Sequence, residues 1–130
     1  MQYNFLLEAS GTLISGFMIK AVKSAGARAI ASDIEECAAT YQADEFIVFP
    51  KFRDPNLWEI TKNIIQDKNI NVVVPTLDET ILKWAEQRDE YAKLGVHVLV
   101  SDKETIAVFQ DKWKTFQFFE KIGVPQPNTS

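Results

Sequence analysis

The chain alternates short apolar runs with longer amphipathic segments, and this alternation constrains its fold more than any other feature. Runs of strand length recur at Tyr3–Leu7, Ala29–Ala31, Glu45–Phe49, Ile70–Val74 and Val96–Val100. Between them, apolar residues return at the three- and four-residue spacing of one helix face. Strands that alternate with helices predict a parallel sheet with right-handed crossovers. We therefore expect an α/β, Rossmann-like three-layer domain with a mostly parallel five-stranded sheet.

Capping residues indicate where several of the helices begin and end. Asp54-Pro55 has the form of an N-cap followed by proline at the first helical position. The segments Thr76–Glu79 and Ser101–Glu104 both have the spacing of a capping box. Gly26 follows the first amphipathic segment and predicts the end of that helix.

The composition is that of a globular protein without a strongly positive surface. The 130 residues include 14 Lys and Arg against 18 Asp and Glu, which gives a net charge of −4, and 46% are hydrophobic. Nucleic acids and anionic membranes require concentrated positive charge, so we expect neither as a partner. The apolar runs are far too short to span a bilayer. A start without a basic segment and a single cysteine, Cys37, predict a cytoplasmic protein.

The turn after the first predicted strand has two glycines at the spacing of a phosphate-binding loop. The segment Gly11–Gly16 lacks the Lys and Ser/Thr that such a loop needs, because Phe17 and Met18 stand there. Backbone N–H groups near Ser10 and Gly11 could still hold an anionic group of a substrate. The other interpretation is a plain tight turn.

Acidic residues follow two further strands. Asp33 stands where Rossmann-type proteins place a carboxylate on a ribose hydroxyl, but Ser32 and Asp33 equally suit a helix cap. The loop that holds Thr76, Asp78 and Glu79 follows a predicted central strand, and ligands bind at the carboxyl ends of such strands in open α/β sheets. These three residues are predicted to contact a substrate, although they also suit capping and the helix dipole.

The residues most often used in nucleophilic catalysis and metal binding do not indicate a catalytic or metal site in this sequence. Cys37 would need a neighbouring base, and the single histidine, His97, lies within the fifth predicted strand. We expect buried structural roles for both. No His, Cys, Asp or Glu cluster has metal-ligand spacing, so neither a metal site nor a catalytic residue is predicted.

The last thirty residues have a different character. Asp111–Ile122 is predicted to be helical, yet its aromatic residues spread around most of the helix circumference. Such a helix needs cover from another domain, another subunit or a folded-back tail. The segment Gly123–Ser130 has two prolines and is expected to be the start of a linker.

Taken in order, these segments resemble the N-terminal part of ATP-grasp enzymes, above all the carbamoyl-phosphate synthase large-subunit-like group. The residues that carry the resemblance are Ser10-Gly11, Asp33, Ala43-Asp44, Val48-Phe49-Pro50, Asp54-Pro55, Val74–Glu79, Val98–Ser101, Asp111-Lys112 and Gly123–Pro127. The combination of the Pro-Thr-x-Asp-Glu loop, the Asp-Lys pair and Gly-Val-Pro-x-Pro is the most specific part.

The resemblance implies two domains and a role for each. Residues 1–101 would form the pre-ATP-grasp domain, with Ser10, Gly11 and the loop of Thr76, Asp78 and Glu79 on its substrate side. Residues 102–130 would begin the ATP-grasp domain, in which Lys112 contacts the nucleotide phosphates. The reaction implied is ATP-dependent activation of a small carboxylate as an acyl phosphate, followed by attack of an amine, with Mg²⁺ neutralising the phosphates.

The same resemblance implies that these 130 residues are inactive alone. ATP and Mg²⁺ would bind only in the complete protein, and the partner would be the rest of the ATP-grasp domain or a subunit from a split gene. The alternative is a free-standing, non-catalytic Rossmann-like module that binds a small ligand or associates with a subunit. In either case, the aromatic helix could mediate a homo-oligomer.

Overall fold

The predicted strands form one sheet in which every pair of neighbours is parallel. In the computed structural model, which describes residues 1–127, the strands are β1 (Asn4–Leu7), β2 (Arg28–Asp33), β3 (Glu45–Val48), β4 (Val72–Val74) and β5 (His97–Val98). Their order across the sheet is β3-β2-β1-β4-β5. The predicted α/β fold is therefore confirmed, with the amino-terminal strand at the centre of the sheet.

The described residues form six helices. They are α1 (Ser15–Ser24), α2 (Ala39–Gln42), α3 (Leu57–Asp67), α4 (Asp78–Lys93), α5 (Lys103–Gln110) and α6 (Lys112–Ile122). The first four connect successive strands, whereas α5 and α6 follow β5. Within residues 1–127, none of these helices is both long enough and apolar enough to cross a bilayer.

Two hydrophobic clusters lie on opposite faces of the sheet and make it the middle of three layers. Neighbouring residues of a strand point to opposite faces, so Leu6 and Leu7 of β1 belong to different clusters. Leu6 packs with Ile65 of α3 and Trp84 of α4, whereas Leu7 packs with Ile19 of α1. Helices on both faces explain why the strands are apolar along most of their length.

Three of the helix caps that the sequence suggested do not form. The helix after Asp54-Pro55 begins at Leu57, because the Asp54 carboxylate accepts a hydrogen bond from Asn56 N at 2.8 Å and closes a separate turn first. No helix follows Ser32 and Asp33 directly, since α2 begins only at Ala39. The predicted Thr76–Glu79 capping box does not form, and α4 begins at Asp78 without a side-chain cap of its own.

Aspartates cap the last two helices. Asp102, one residue after the predicted Ser101, accepts from Thr105 N at 2.8 Å at the start of α5, and this bond lowers the pKa of the Asp102 carboxyl. Asp111 caps α6 by accepting from Trp113 N at 2.9 Å and from Lys114 N at 3.1 Å. The predicted helix over residues 111–122 is therefore confirmed to within one residue.

The aromatic residues of α6 are only partly covered within the described chain. Helix α5 packs against both α4 and α6. The Phe109 ring of α5 lies 5.5 Å from the Phe118 ring and 5.8 Å from the Phe119 ring, measured between centroids. Trp113 and Ile122 remain 60% and 55% exposed. The segment after α6 is described only as far as Pro127, so the end of the predicted linker lies outside the described residues.

Candidate functional site

A cavity of about 380 Å³ opens at the carboxyl edge of the sheet, and we refer to it as the switch-point cavity. Strand β1 has β2 on one side and β4 on the other, so the direction of strand order reverses beside it. Open α/β sheets bind ligands in the crevice at such a point. Its apolar lining residues are Ile34, Phe49, Pro50, Phe52, Leu57 and Leu77, and its polar ones include Glu8, Asp33 and Lys51.

Glu8, the residue after β1, ties the central strand to the first turn of α4. One carboxylate oxygen accepts hydrogen bonds from the backbone N–H groups of Thr76 and Leu77, both at 3.0 Å. The other accepts from Trp84 Nε1 at 2.9 Å, and the Thr80 hydroxyl lies 2.9 Å from both oxygens. A carboxylate at a helix N-terminus is stabilised by the dipole of that helix. Glu8 therefore does for α4 what the predicted capping box was expected to do.

The partners of Glu8 explain why the Thr76–Glu79 capping box is absent. The Thr76 hydroxyl donates to the backbone carbonyl of Glu8 at 2.6 Å instead of capping its own helix. Thr80 and Trp84 are 3% and 1% exposed, so their donors need an acceptor inside the protein. The sequence analysis missed Glu8 as a site residue. The available signal was a carboxylate placed directly after a buried strand.

Asp33, at the end of β2, fastens the turn between β1 and α1. Its two carboxylate oxygens accept from Gly11 N and Ile34 N, each at 2.7 Å. A Cβ atom on residue 11 would lie 2.7 Å from Asp33 Oδ2, so only glycine fits without displacing the carboxylate. The backbone donor that could hold an anion at this turn is thus occupied by the side chain of Asp33.

Ser10 is buried between β1 and β2, and its hydroxyl serves the backbone. It donates to Leu7 O at 2.8 Å and accepts from Ser32 N at 3.3 Å. The Ser32 hydroxyl donates to the same Leu7 carbonyl at 3.1 Å. These bonds hold the ends of β1 and β2 together below the cavity.

Lys112 lies in a different place, an open groove of about 870 Å³ between α4 and the α5–α6 pair. We call it the α4–α6 groove. Asp78 and Lys114 line it with Lys112, and the Gln110 side chain donates to the Asp78 carbonyl across it. Lys112 is exposed, and it forms no ion pair within residues 1–127. The Asp111 cap fixes the backbone from which it extends.

The five predicted substrate-binding residues do not converge on one cavity. Ser10 and Gly11 lie at the β1–α1 turn, and Thr76 is hydrogen-bonded to the Glu8 carbonyl. Asp78 lines the α4–α6 groove together with Lys112. Glu79 is exposed on the first turn of α4 and lines neither space. None of the five lines the switch-point cavity. Their contact with a substrate stays a prediction.

The remaining candidates are not close to a site. His97 is exposed on β5, so the expectation that it is buried is wrong. Cys37 is a half-buried free thiol that packs against the Leu7 cluster. In the part of the chain that the structure describes, no three His, Cys, Asp or Glu side chains are grouped so that they could hold a metal ion.

Comparison with known sequences assigns the family. Residues 8–99 match the PylC-like, N-terminal domain family. The chain belongs to this family. The match begins at Glu8 and ends beyond β5, so this PylC-like N-terminal domain contains both the switch-point cavity and the first turn of α4. A carbamoyl-phosphate synthase from Methanobrevibacter smithii is 26% identical over 110 residues, which are 82% of this chain and 29% of that protein.

Solved structures share the fold of this PylC-like N-terminal domain. N5-carboxyaminoimidazole ribonucleotide synthetase from Thermotoga maritima superposes with a TM-score of 0.69 at 22% identity, over 98% of this chain and 33% of that one. The Staphylococcus aureus N5-carboxyaminoimidazole synthetase, complexed with ADP, gives a TM-score of 0.67 at 18% identity, over 95% and 31%. The chain thus spans about a third of the length of these proteins. The predicted resemblance to the N-terminal domain of carbamoyl-phosphate synthase-like ATP-grasp proteins is confirmed.

Proposed function

We propose that this PylC-like N-terminal domain forms the substrate side of an ATP-grasp ligase that activates a carboxylate as an acyl phosphate for attack by an amine. The observation that carries the proposal is the family match over residues 8–99, together with α6, which follows α5 and begins at Lys112 with Asp111 as its N-cap. On this proposal, residues 1–101 are the substrate-side domain and residues 102–130 begin the ATP-grasp domain. ATP and Mg²⁺ then act in the complete protein.

Lys112 is the residue proposed to contact the nucleotide phosphates. Its ammonium is a compact charge on a flexible stem, which suits phosphate oxygens whose geometry changes during transfer. Its place on the first turn of α6, beside the open α4–α6 groove, supports this role because the groove leaves space for a phosphate chain. Asp78 on the facing helix borders the same groove and is proposed to contact the substrate.

The 130 residues are proposed to be inactive alone. The cations that line the α4–α6 groove, Lys112 and Lys114, stand on one side of an open space. A phosphoryl-transfer site surrounds the phosphates with several donors and metal ions and excludes water. Such enclosure has to come from a further domain or from a subunit of a split gene.

The test is isothermal titration of Mg-ATP. It compares the 130-residue chain with the same chain joined to, or mixed with, its ATP-grasp domain. We expect binding only when the ATP-grasp domain is present, and a loss of about tenfold or more on Lys112→Ala. Lys103→Ala is the matched control, because Lys103 also follows a capping aspartate at the start of a helix. Tight binding by the 130-residue chain would contradict the proposal.

The second candidate function is a non-catalytic module that binds a small ligand or a subunit. It is favoured by the contact of Phe109 with Phe118 and Phe119, which gives α6 some cover from this chain itself. On this alternative, the domain functions without ATP, and Mg-ATP does not bind in either form of the titration. Exposed aromatic residues of α6 would then associate with a second copy or another protein.

A further inference from the structure

The switch-point cavity has a composition that defines the chemistry of its ligand. We propose that it binds a compact apolar molecule that carries a protonated amine, with the amine beside Asp33. This inference deepens the proposed function and rests on it only in assigning the bound amine to the substrate side. The cavity shares none of its lining residues with the α4–α6 groove of Lys112.

The walls of the cavity suit an apolar body of the size of one ring. Phe49, Phe52, Leu57 and Leu77 supply aromatic and aliphatic surface around a space of about 380 Å³. Cavities of this size and lining typically bind small molecules, with a few polar groups that fix the orientation. Phe52 stands at the exposed rim, 42% accessible, and its ring is held under the Arg53 guanidinium at 5.2 Å.

The charges that border the cavity favour a cation. Glu8 and Asp33 contribute two carboxylates, and Lys51 is the only cationic side chain among the described residues that line it. Lys51 is exposed, whereas Glu8 and Asp33 are half-buried. An ammonium group next to Asp33 would therefore balance the excess negative charge where solvent screens it least.

The two carboxylates differ in what they can offer a ligand. The oxygens of Glu8 are surrounded by donors from Thr76, Leu77, Thr80 and Trp84. Asp33 accepts one hydrogen bond on each oxygen, so acceptor sites remain on both. Asp33 is thus the group that can accept from an ammonium, while Glu8 adds negative potential.

The same bonds disfavour an anionic ligand. A phosphate or carboxylate at this edge of a sheet is normally held by the N–H groups of the first βα turn or of a helix N-terminus. Here Asp33 occupies Gly11 N at the β1–α1 turn, and Glu8 occupies Thr76 N and Leu77 N at the start of α4. The chain thus places its own carboxylates on three of the backbone donors that an anion at this edge would use.

Three probes of nearly equal shape test the proposal: phenethylamine, 2-phenylethanol and phenylacetate. Each is titrated into the 130-residue chain without nucleotide, and binding is followed by two-dimensional amide NMR at Asp33, Ile34 and Phe52. We expect phenethylamine to bind about tenfold or more tightly than 2-phenylethanol, and phenylacetate not to bind. Equal affinities, tighter binding of phenylacetate, or no shift with any probe would each overturn the proposal.

Two variants separate the charge from the apolar walls. Asp33→Asn should remove the preference for phenethylamine and leave the affinity for 2-phenylethanol nearly unchanged. Phe52→Ala should weaken both probes by a similar factor, since it shortens an apolar wall at an exposed position. Glu35→Gln removes the same charge from an exposed residue outside the cavity and should change neither affinity. If Asp33→Asn fails to fold, the other two variants still test the proposal. Phe52→Ala and Glu35→Gln should both bind phenethylamine more tightly than 2-phenylethanol. Loss of that preference in either variant would contradict the proposal.

The outcome is independent of the ATP titration. Phenethylamine binding requires neither Mg-ATP nor Lys112, so Lys112→Ala should leave it unchanged. Loss of ATP binding with intact amine binding would contradict the ligase proposal alone. Loss of amine binding with intact ATP binding would contradict the present inference alone.

Discussion

Glu8 shows how one carboxylate can take the place of both a helix cap and a bound anion. It follows β1, and its partners, in the loop before α4 and on α4 itself, are 68–76 residues away in sequence. Its negative charge lies at the positive end of α4, where a substrate phosphate would otherwise be stabilised. The residue therefore joins β1 to α4 and also adds a negative charge to the lining of the cavity.

Removing this carboxylate should destabilise the domain. In Glu8→Ala the buried Trp84 Nε1 loses its acceptor, and the Thr80 hydroxyl keeps only the 3.3 Å bond to Leu77 O. An unsatisfied buried donor costs about 1–3 kcal/mol. We expect a loss of about 2–4 kcal/mol in the free energy of unfolding, measured by urea denaturation. Glu79→Ala is the control, because Glu79 is an exposed carboxylate on the same helical turn. Equal effects of the two substitutions would show that the Glu8 contacts contribute little.

The sequence could not reveal this role of Glu8. Its partners are distant in the chain, and nothing local distinguishes it from any acidic residue after a strand. Thr76 illustrates the converse error, because its local spacing predicts a capping box whereas a long-range bond to the Glu8 carbonyl uses its hydroxyl. Local sequence patterns therefore misassign side chains whose hydrogen-bond partners are distant in the sequence.

At the scale of elements, the helices that sequence predicts best are those whose caps are local. Asp102 and Asp111 each bond to N–H groups two or three residues ahead, and both helices begin within one residue of the prediction. Helix α3 begins later because Asp54 closes a turn first. The residue at which each of these helices begins therefore depends on which backbone N–H group the nearby aspartate side chain binds.

The edge strand β3 depends on an ion-pair cluster around Glu45. Its carboxylate bonds to Lys68 at the end of α3 and accepts from Arg28 of β2 at 2.9 Å. The Lys68 bond, followed by the Arg28 bond, lowers the Glu45 pKa below its usual value of 4.5. Because the pKa is lowered in the folded state, this stabilisation is complete above the unfolded pKa and disappears as the pH falls through the folded one.

Glu45→Gln should therefore alter the pH dependence of stability. We expect the variant to be less stable by about 0.5–1 kcal/mol at pH 7, since the pair is partly exposed, and the difference to disappear as the pH falls through the lowered pKa of Glu45. The measurement is thermal or urea unfolding across this pH range. Glu59→Gln serves as control, because Glu59 is an exposed carboxylate on α3 without an ion pair among residues 1–127. A stability difference that stays constant with pH would contradict the assignment to Glu45.

At the scale of the whole molecule, the sheet and its two helical layers are covered, whereas two helices leave apolar side chains in solvent. Leu13, just before α1, is 98% exposed, and Phe17, in the first turn of α1, is 75% exposed. Trp113 and Ile122 of α6 are 60% and 55% exposed. Apolar surface of this extent is typical of contact with another domain or chain. The sequence predicted this for α6 from its aromatic residues but gave no such indication for α1.

Substitutions on α6 should distinguish its covered side from its exposed side. Phe119→Ala removes a contact with Phe109 and should destabilise the fold by about 1–3 kcal/mol, which is less than for a fully buried phenylalanine. Trp113→Ser should leave the unfolding free energy within about 0.5 kcal/mol and reduce self-association, as measured by analytical ultracentrifugation. A large loss of stability in Trp113→Ser would show that this face is covered within the chain.

The overall architecture was predictable because it follows from buried apolar runs and turn residues, which are local. The parallel sheet was implied by the alternation of strands and helices, since parallel strands require crossover connections, but the order of its strands was not. The switch-point cavity was not predictable, because loops after β1, β2, β3 and β4 converge on it only in the folded chain. Phe49 and Phe52 line it, although the sequence offered no local reason to pair them with Glu8.

The position of β1 at the centre of the sheet has a consequence for folding. Leu6 pairs with Val73 and Ile30 on its two sides, so the first strand to be synthesised receives its second neighbour only after β4 exists. Contacts of such sequence separation slow folding, because a long loop must close before they form. During synthesis, β1 to β3 can assemble with one face still lacking α3 and α4. That interval is when the nascent chain is most open to aggregation through Leu6 and Ile30.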